Sequence, residues 1–232
     1  MATIQQVHNR FRLLYDSFNN AYYPNLEPGE IDDIINITLR EFVKTRYGGN
    51  NMYRTGVEET QKRTDDLRTL TSGAVLIKLS SAPSELSHYL NKDIYQLPSN
   101  YWFLLNIQGD ATFINNCGQT QTFYTDFRVI DHDFAGFDSA SYDPFNRPEK
   151  FYVNVVFSGN YIVVLREETT STNNVRINYL RQPLDVNIST NQTIELPEHT
   201  HGEIISLAVQ KALEIAESQR VATHPSEVAK IE

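Results

Sequence analysis

Apolar residues recur at helical spacing in the first third of the chain. One such stripe predicts a helix from Ile4 to Phe18. A second predicted helix starts near Pro28 with acidic residues in its first turn, carries basic residues in its last turn, and stops at Tyr47-Gly48-Gly49. The segment from Thr55 to Leu70 has a helical pattern with few apolar anchors. We expect it to pack against something outside the monomer or to lie loosely on it.

From Gly73 the pattern changes to short runs rich in Val, Ile, Tyr and Phe, separated by polar turn clusters. Such runs are typical of β-strands. Ser158-Gly159-Asn160 is a hairpin signal. A short helix is predicted over Ser84–Leu90 and an irregular segment from Asp131 to Pro148. The predicted strands are Ala74–Leu79, Tyr101–Ile107, Thr122–Ile130, Phe151–Phe157, Tyr161–Arg166 and Val175–Leu180.

A final helix is predicted to open at Pro197-Glu198, because a broad apolar face follows. The predicted fold class is therefore α+β, with N-terminal helices and a C-terminal helix flanking an antiparallel, sandwich-like β core. We expect one compound domain over residues 1–232. Its predicted parts are a helical part (1–72), a β-rich core (73–190), a C-terminal helix (191–220) and a flexible tail (221–232).

Composition and charge narrow the range of functions. The chain has 232 residues, 40% of them hydrophobic, and a formal net charge of −9. Gripping nucleic acid requires clustered Lys and Arg, which this chain lacks, although an acidic surface can line a channel through which DNA slides. Cys117 is the only cysteine, so an intrachain disulfide is impossible. With no signal-peptide pattern, we expect a product made in a cytosol that stays soluble there and binds no membrane.

The cluster Glu198, His199, His201 and Glu203 is a candidate metal site. Two histidines two positions apart suit one metal on an extended segment, but on a helix they point about 200° apart. Because these residues fall where a helix begins, a charged and solvated first turn is the favoured interpretation. No metal is expected.

Other candidate chemistry is equally sparse. Asp131-His132-Asp133 puts an acid, a base and an acid in a row, but no Ser or Cys nucleophile with a recognisable elbow accompanies it, so we expect a solvated loop. Cys117 has no basic neighbour in sequence and is expected to be incidental. The glycines form no nucleotide-binding pattern. We therefore predict no catalytic residues, no cofactor and no enzyme activity.

The segment Asp143-Pro144-Phe145-Asn146-Arg147-Pro148 is the most individual part of the chain. Two prolines fix its backbone, and an aromatic ring, a guanidinium and two polar side chains become available. It is either an interface anchor or a structured turn within the monomer.

Three blocks of the sequence together resemble structural proteins of crAss-like phages, which infect gut Bacteroidales. Residues 29–47 resemble an "EID…LN.A…FVK.RY" helix, and 143–148 resembles a "DPFNRP" loop. Residues 177–183 and 195–209 resemble a "YIRKP…ELPEHLHHEII.LAV" ending. The sequence departs from this pattern after Asn36, where Ile-Thr replaces small residues, and this departure is expected to loosen the packing of the helix.

The resemblance implies a virion protein of the neck or tail, similar in fold to adaptor or tubular-tail proteins of short-tailed phages. It implies a homo-oligomeric ring, twelvefold to match a portal, assembled in the host cytoplasm. The implied partners are the portal and neighbouring ring or tail proteins, with viral DNA passing through the channel.

A closed ring requires two different, complementary faces on each subunit. We predict that such contacts involve the helix corner at Arg46 and Tyr47, the C-terminal tail, and the loop residues Asp143, Phe145, Asn146 and Arg147. The alternative is a Tyr-rich β-sandwich module of a phage fibre or tail that binds a carbohydrate or another ligand. A hydrolase would need a carboxylate pair or a Ser/His site that the sequence does not show.

Overall fold

A computed structural model describes the chain over seven ranges, and the observations below concern those residues. The chain divides into two compact units. One comprises Met1–Leu70 with Pro183–Glu232, and the other comprises Thr71–Gln182. The described ranges are 2–18, 26–48, 57–89, 91–114, 117–133, 153–167 and 169–215.

The first unit is helical, and its helices follow the predicted periodicity. The predicted bounds of α1 (Ile4–Phe18) are confirmed, as are the start of α2 (Pro28–Gly48) near Pro28 and its end at the glycine pair. Helix α3 (Val57–Leu67) continues as a 3-10 turn to Leu70. Helix α4 (Glu198–Ile215) begins after Pro197, as predicted. Each of α1, α2 and α4 buries its apolar stripe, which is why the spacing of hydrophobic residues located these helices.

Helix α2 also carries a polar stripe, with Asp32, Asn36 and Arg40 at successive four-residue intervals. This stripe binds the segment that precedes α4. The Asn36 side chain donates to Val186 O at 3.0 Å and accepts from Val186 N at 2.7 Å, while Asp32 accepts from Ile188 N at 3.0 Å. Of the two residues after Asn36, Thr38 is buried and Ile37 is 46% exposed, so the expectation that they loosen the packing of this helix stays a prediction.

The second unit contains two β-sheets, so the predicted α+β class is confirmed. One sheet, called sheet A, has the strand order β1-β9-β4-β5, and the other, called sheet B, has the order β2-β3-β8-β7-β6. All pairs are antiparallel except β6 with β7. The strands are β1 (Thr71–Val75), β2 (Ile77–Lys78), β3 (Lys92–Gln96), β4 (Tyr101–Ile114), β5 (Thr120–Asp126), β6 (Arg128–Val129), β7 (Asn154–Ser158), β8 (Tyr161–Leu165) and β9 (Thr170–Arg181).

The main core of this unit is built from both sheets. Ile107 and Ile177 from sheet A pack in one buried cluster with Tyr95, Ile162 and Val164 from sheet B. Alternate residues of the central strands of sheet B, such as Val156 and Val163, belong to a second buried cluster on the other face of the sheet. Because both faces are buried, most of these strands are continuous apolar runs in sequence. The hairpin prediction is confirmed, since Ser158 pairs with Tyr161 and Gly159 has φ +57°, a conformation that glycine adopts without strain.

Several predicted elements of this unit are wrong in extent or type. Strand β3 was not predicted, because its short run contains Lys92, Asp93 and Gln96. The predicted helix over Ser84–Leu90 is a single 3-10 turn, Ser84–Leu86. Strands β4 and β9 continue well beyond their apolar runs, since pairing with each other extends both through polar residues.

The boundaries of the two units lie after Leu70 and after Gln182, about two and eight residues before the predicted divisions after 72 and 190. Grouping of all parts into one compound domain stays a prediction. The predicted tail, 221–232, lies outside the described residues. Within the described ranges, no helix combines the length and the apolar character needed to cross a bilayer.

Candidate functional site

The end of α2 is held by an ion cluster, called here the Arg46 clamp and formed by Arg46, Asp66, His199 and Glu203. Arg46, Asp66 and Glu203 are largely buried, and the His199 side chain is 54% exposed. Arg46 reaches it from the last turn of α2, and its side chain is only 7% exposed. Its Nε lies 3.3 Å from Asp66 Oδ2, and its Nη2 donates to Glu203 Oε1. The guanidinium carbon also lies 4.9 Å from the centre of the Phe42 ring. One cation is therefore shared by two carboxylates and an aromatic face.

Asp66 brings α3 into the same cluster. It is fully buried, and its Oδ1 lies 2.7 Å from Nε2 of His199 in the first turn of α4. Helix α3 is thus anchored by a carboxylate as well as by the buried Leu67 and Leu70. The apolar pattern of this segment does not identify Asp66 as an anchor, because its role depends on partners from two other helices, Arg46 of α2 and His199 of α4.

The favoured interpretation of the α4 start as a solvated turn is wrong only for part of the turn, because Glu198 and His199 are exposed. Thr200 and His201 are buried, and His201 Nε2 lies 2.9 Å from Leu196 O. Burial of Glu203 raises the pKa of its carboxyl, an effect that the adjacent Arg46 guanidinium opposes. Within the described ranges, no group of three His, Cys, Asp or Glu residues is arranged to hold a metal ion.

Arg46 is suited to fixing positions, because an arginine keeps its proton and its charge at any ordinary pH. It holds the last turn of α2 against α3 and α4. Tyr47, the next residue, is 43% exposed. Of the two predicted contact residues at this corner, Arg46 is therefore interior and Tyr47 is at the surface, and the interface role of both stays a prediction.

A groove of about 270 Å³ runs between α2 and α4 beside the clamp. Glu41 and Lys211 form an ion pair across it. Phe42 and Leu207 supply its apolar lining, and Gln210 and Glu214 lie along the α4 side. The predicted loop contacts Asp143, Phe145, Asn146 and Arg147 lie outside the described residues.

The β unit contains a second buried charge cluster, called here the Asp93 network. The Asp93 Oδ2 accepts hydrogen bonds from Thr172 N at 3.1 Å, Thr172 Oγ1 at 2.7 Å and Arg166 Nε at 3.1 Å. Its Oδ1 lies 3.0 Å from Lys78 Nζ. Tyr95 completes the network by donating to Thr172 O at 2.8 Å. The network joins β2 and β3 of sheet B to β9 of sheet A.

Electrostatics distinguish Asp93 from Glu203. Burial alone would raise the pKa of Asp93, but hydrogen bonds from Thr172 and the charges of Lys78 and Arg166 leave it below its ordinary value. Burial raises the pKa of Tyr95 to about 12. Asp93 is therefore a charged structural group, and the sequence offered no signal for it beyond an acid in a short strand.

The remaining candidate motifs lie at the surface. Asp131, His132 and Asp133 are all exposed, as predicted, but His132 and Asp133 are helical and not in a loop. The His132 Nδ1 lies 3.4 Å from the hydroxyl of Tyr89. Cys117 is exposed in the turn between β4 and β5.

Comparison with known proteins does not assign a family to the chain. No protein-family model matches it, and no curated protein matches it at a significant level.

Proposed function

We propose that this chain is a structural subunit of the neck or tail of a tailed bacteriophage, and that copies of it close into a ring below the portal. The ring would form part of the channel through which viral DNA passes. The subunit acts by assembly, without catalysing a reaction and without a cofactor.

One observation carries this proposal. Two of the three blocks that resemble crAss-like phage proteins are far apart in sequence, yet they pack together as α2 and α4. Their contact includes the ion pair between Arg46, in the first block, and Glu203, in the last. Short motifs that match by chance have no reason to meet through a buried charge pair. This contact supports treating the two blocks as one inherited structural element.

Charge fits the same role. With a net charge of −9, the surface does not attract a phosphate backbone strongly, which suits a wall past which DNA slides. Both buried charge clusters are also occupied by partners within the chain, as expected of groups that hold a rigid building block together.

The first test is whether the protein belongs to the virion. Mass spectrometry of purified particles of the encoding phage should detect it in a fixed ratio to the portal protein. Negative-stain imaging of the protein mixed with its portal should then show rings of about twelve copies, because a ring that closes head-to-tail matches the symmetry of its platform. Absence from purified particles would contradict the proposal.

A second test concerns the predicted contact residues. We expect Phe145→Ala and Arg147→Ala to reduce assembly on the portal, and Tyr47→Ala to reduce it too. Leu13→Ala is the control for Tyr47, since Leu13 is an exposed large apolar residue of α1 that is not among the predicted contacts. Unchanged assembly of all three variants would remove these residues from the interface without affecting the test on particles.

The alternative, a carbohydrate-binding module of a fibre or tail, is favoured by one observation. Tyr124 is exposed beside an amide and an acid, with its hydroxyl donating to Gln108 Oε1 at 2.5 Å and Gln108 Nε2 donating to Asp126 Oδ1 at 2.7 Å. Aromatic, amide and acid groups together are the set that sugar sites use. Binding on a glycan array that Tyr124→Ala abolishes would favour this alternative.

A further inference from the structure

Beside the Arg46 clamp, residues of α3 and of the start of α4 line a shallow depression of about 420 Å³. We call it the Lys62 pocket. Four of its five lining side chains carry N–H groups that can donate hydrogen bonds, and two of these four are cations at neutral pH. The chain as a whole has a net charge of −9, so this set of donors differs from its average surface. The lining residues are Gln61, Lys62, Asp65, Arg68 and His199.

Helical spacing gathers most of these side chains on one wall of the pocket. Lys62, Asp65 and Arg68 follow one another at three-residue intervals, so they are neighbours along one side of α3 and its 3-10 extension. All three are exposed, whereas Asp66 and Leu67 are buried and hold the helix in place. The few buried residues of this segment therefore anchor it, and its polar residues are left to face a ligand.

The opposite wall is His199, which is held from behind. Its Nε2 lies 2.7 Å from Asp66 Oδ1, and Asp66 Oδ2 lies 3.3 Å from Arg46 Nε. Because a carboxylate oxygen accepts, Nε2 of the ring carries a hydrogen, and Nδ1 is the nitrogen that remains for a ligand. When the ring is doubly protonated, Nδ1 donates as well. A ring fixed in this way loses less conformational entropy when a ligand binds to it.

The donor set is suited to a phosphate group. Guanidinium, ammonium and amide N–H groups all donate to phosphate oxygens, and the start of α4, an 18-residue helix, adds partial positive charge. A phosphate presents more acceptor oxygens than a carboxylate does, so it can use more of these donors at once.

Acidic groups near the pocket reduce its positive charge without cancelling it. Asp65 is the only acid in the lining. Glu203 faces Lys62, but its carboxyl is already bound by Arg46. Glu198 adjoins His199 in sequence and is not part of the lining. The lining itself therefore contains two cations and a histidine against one carboxylate.

We propose that the Lys62 pocket binds a single phosphate group, either as the free anion or as one phosphate of a nucleotide or nucleic acid. Lys62 and Arg68 supply the charge, Nδ1 of His199 donates from the opposite wall, and the Gln61 amide adds a neutral donor. This inference goes beyond the proposed ring function and does not depend on it. A pocket of this size binds one phosphate, so the acidic surface still does not hold a DNA backbone along its length.

Calorimetric titration of the full chain with inorganic phosphate, at low ionic strength, tests the pocket. We expect Lys62→Gln and Arg68→Gln each to weaken binding about fivefold, because each removes one exposed charge from the ligand. Lys44→Gln and Arg12→Gln are the matched controls, since both residues are exposed cations of the same unit outside the pocket. They should leave the affinity unchanged. Equal effects of pocket and control variants would overturn the inference.

Asp65→Asn gives a prediction of the opposite sign. It removes the one carboxylate of the lining, so phosphate should bind about twofold more tightly. A residue that only stabilised α3 would not strengthen binding when it is replaced. Circular dichroism should show that the variant keeps its helical content, because Asp65 is exposed. Weaker binding by a folded Asp65→Asn variant would contradict the proposed site.

Nuclear magnetic resonance locates the bound anion. The ring signals of His199, identified by their loss in His199→Gln, should move as inorganic phosphate is added. Those of His88, an exposed histidine of the β unit, should stay in place. Equal movement of both sets of signals would mean that phosphate associates with the protein without using the pocket.

The source of the phosphate is decided by competition. A short thymidine oligonucleotide that displaces inorganic phosphate, while its uncharged methylphosphonate analogue does not, identifies a nucleic-acid phosphate. Binding of inorganic phosphate that the oligonucleotide does not displace identifies the free anion. Binding of a polyglutamate peptide with no binding of either phosphate probe would overturn the inference in favour of an acidic protein partner. Each of these results leaves the ring proposal intact, and absence of the protein from virions rejects the ring without affecting the pocket.

Discussion

The helical unit and the β unit each bury a charged cluster, and the two clusters have opposite compositions. In the Arg46 clamp, one guanidinium is shared by Asp66 and Glu203. In the Asp93 network, one carboxylate is shared by Lys78 and Arg166 and also accepts two bonds from Thr172. In the Arg46 clamp two carboxylates therefore share one guanidinium, whereas in the Asp93 network two cations and two Thr172 donors share one carboxylate.

This difference reverses the response to pH. Glu203 has a raised pKa, so the folded state holds its proton more firmly than the unfolded state does, and its contribution to stability falls as pH rises above about 4.5. Asp93 has a lowered pKa, so its contribution is complete above about 3.8 and is lost as pH falls through the folded-state pKa. Mild acid should therefore favour the helical cluster before stronger acid weakens the β network.

The largest expected effect on stability comes from Arg46→Met, which removes the cation that Asp66 and Glu203 share. Two buried carboxylates then lose their shared cation, while Asp66 keeps its contact with His199 Nε2, and we expect a loss of about 3–5 kcal/mol in the free energy of unfolding. Urea titration, with hydrogen exchange of the α2 amides to locate the change, measures it. The loss should shrink in mild acid, because burial raises the pKa of Glu203 and that carboxyl takes up a proton.

Arg40→Met is the control for this variant, because Arg40 lies on the same helix in an exposed pair with Asp185. It should cost less than about 1 kcal/mol. Equal losses for the two variants would show that the Arg46 clamp contributes no more than a surface ion pair.

The next largest effect is expected from Asp93→Asn, which leaves Arg166 and Lys78 without their anion. Since both cations are partly exposed, water compensates in part, and we expect a loss of about 2–3 kcal/mol. The loss should be constant above about pH 4 and disappear in stronger acid. Asp110→Asn is the matched control in the same unit, because Asp110 accepts only an exposed bond from Asn174. A loss that does not change down to pH 2 would mean that the charge of Asp93 is unimportant.

The smallest effect on stability is expected from Glu203→Gln, which removes the titratable carboxyl of Glu203 from the Arg46 clamp. The variant keeps a hydrogen-bond acceptor near Arg46, so stability at neutral pH should change by no more than about 1 kcal/mol. The difference between wild type and variant should depend on pH, with wild type gaining relative stability as pH falls toward 4.5. Parallel stability curves for the two proteins between pH 4.5 and 7 would contradict the raised pKa of Glu203.

Regular spacing and turn chemistry located much of the fold in advance. The apolar stripe of α1 predicted both of its ends, and the glycine pair after Tyr47 predicted where α2 stops. Ser158-Gly159-Asn160 predicted the β7–β8 hairpin for the same reason, since a turn is specified by residues adjacent in sequence. These features depend on interactions within a few residues, which one sequence displays directly.

The roles of the polar residues could not be read in this way. Asp66 and Asp93 look like surface residues in sequence, and each is buried because distant segments bring it a partner. His201 is also buried, with Leu196 O, five residues before it, as its partner. Strand β3 was not predicted for a related reason. Its buried carboxylate, Asp93, is compensated by groups from β2, β9 and the segment after β8, which lie elsewhere in the sequence.

Hydrophobic period and local turn residues encode the class of fold, the bounds of α1 and α2, the start of α4 and the strand-rich middle of this protein. Only the tertiary structure decided which charges are buried and which strands end each sheet. Those outcomes depend on pairing between residues that are often more than a hundred positions apart, such as Arg46 with Glu203. Burial turns such a pair into a strong constraint, since a charge removed from water needs its partner in place.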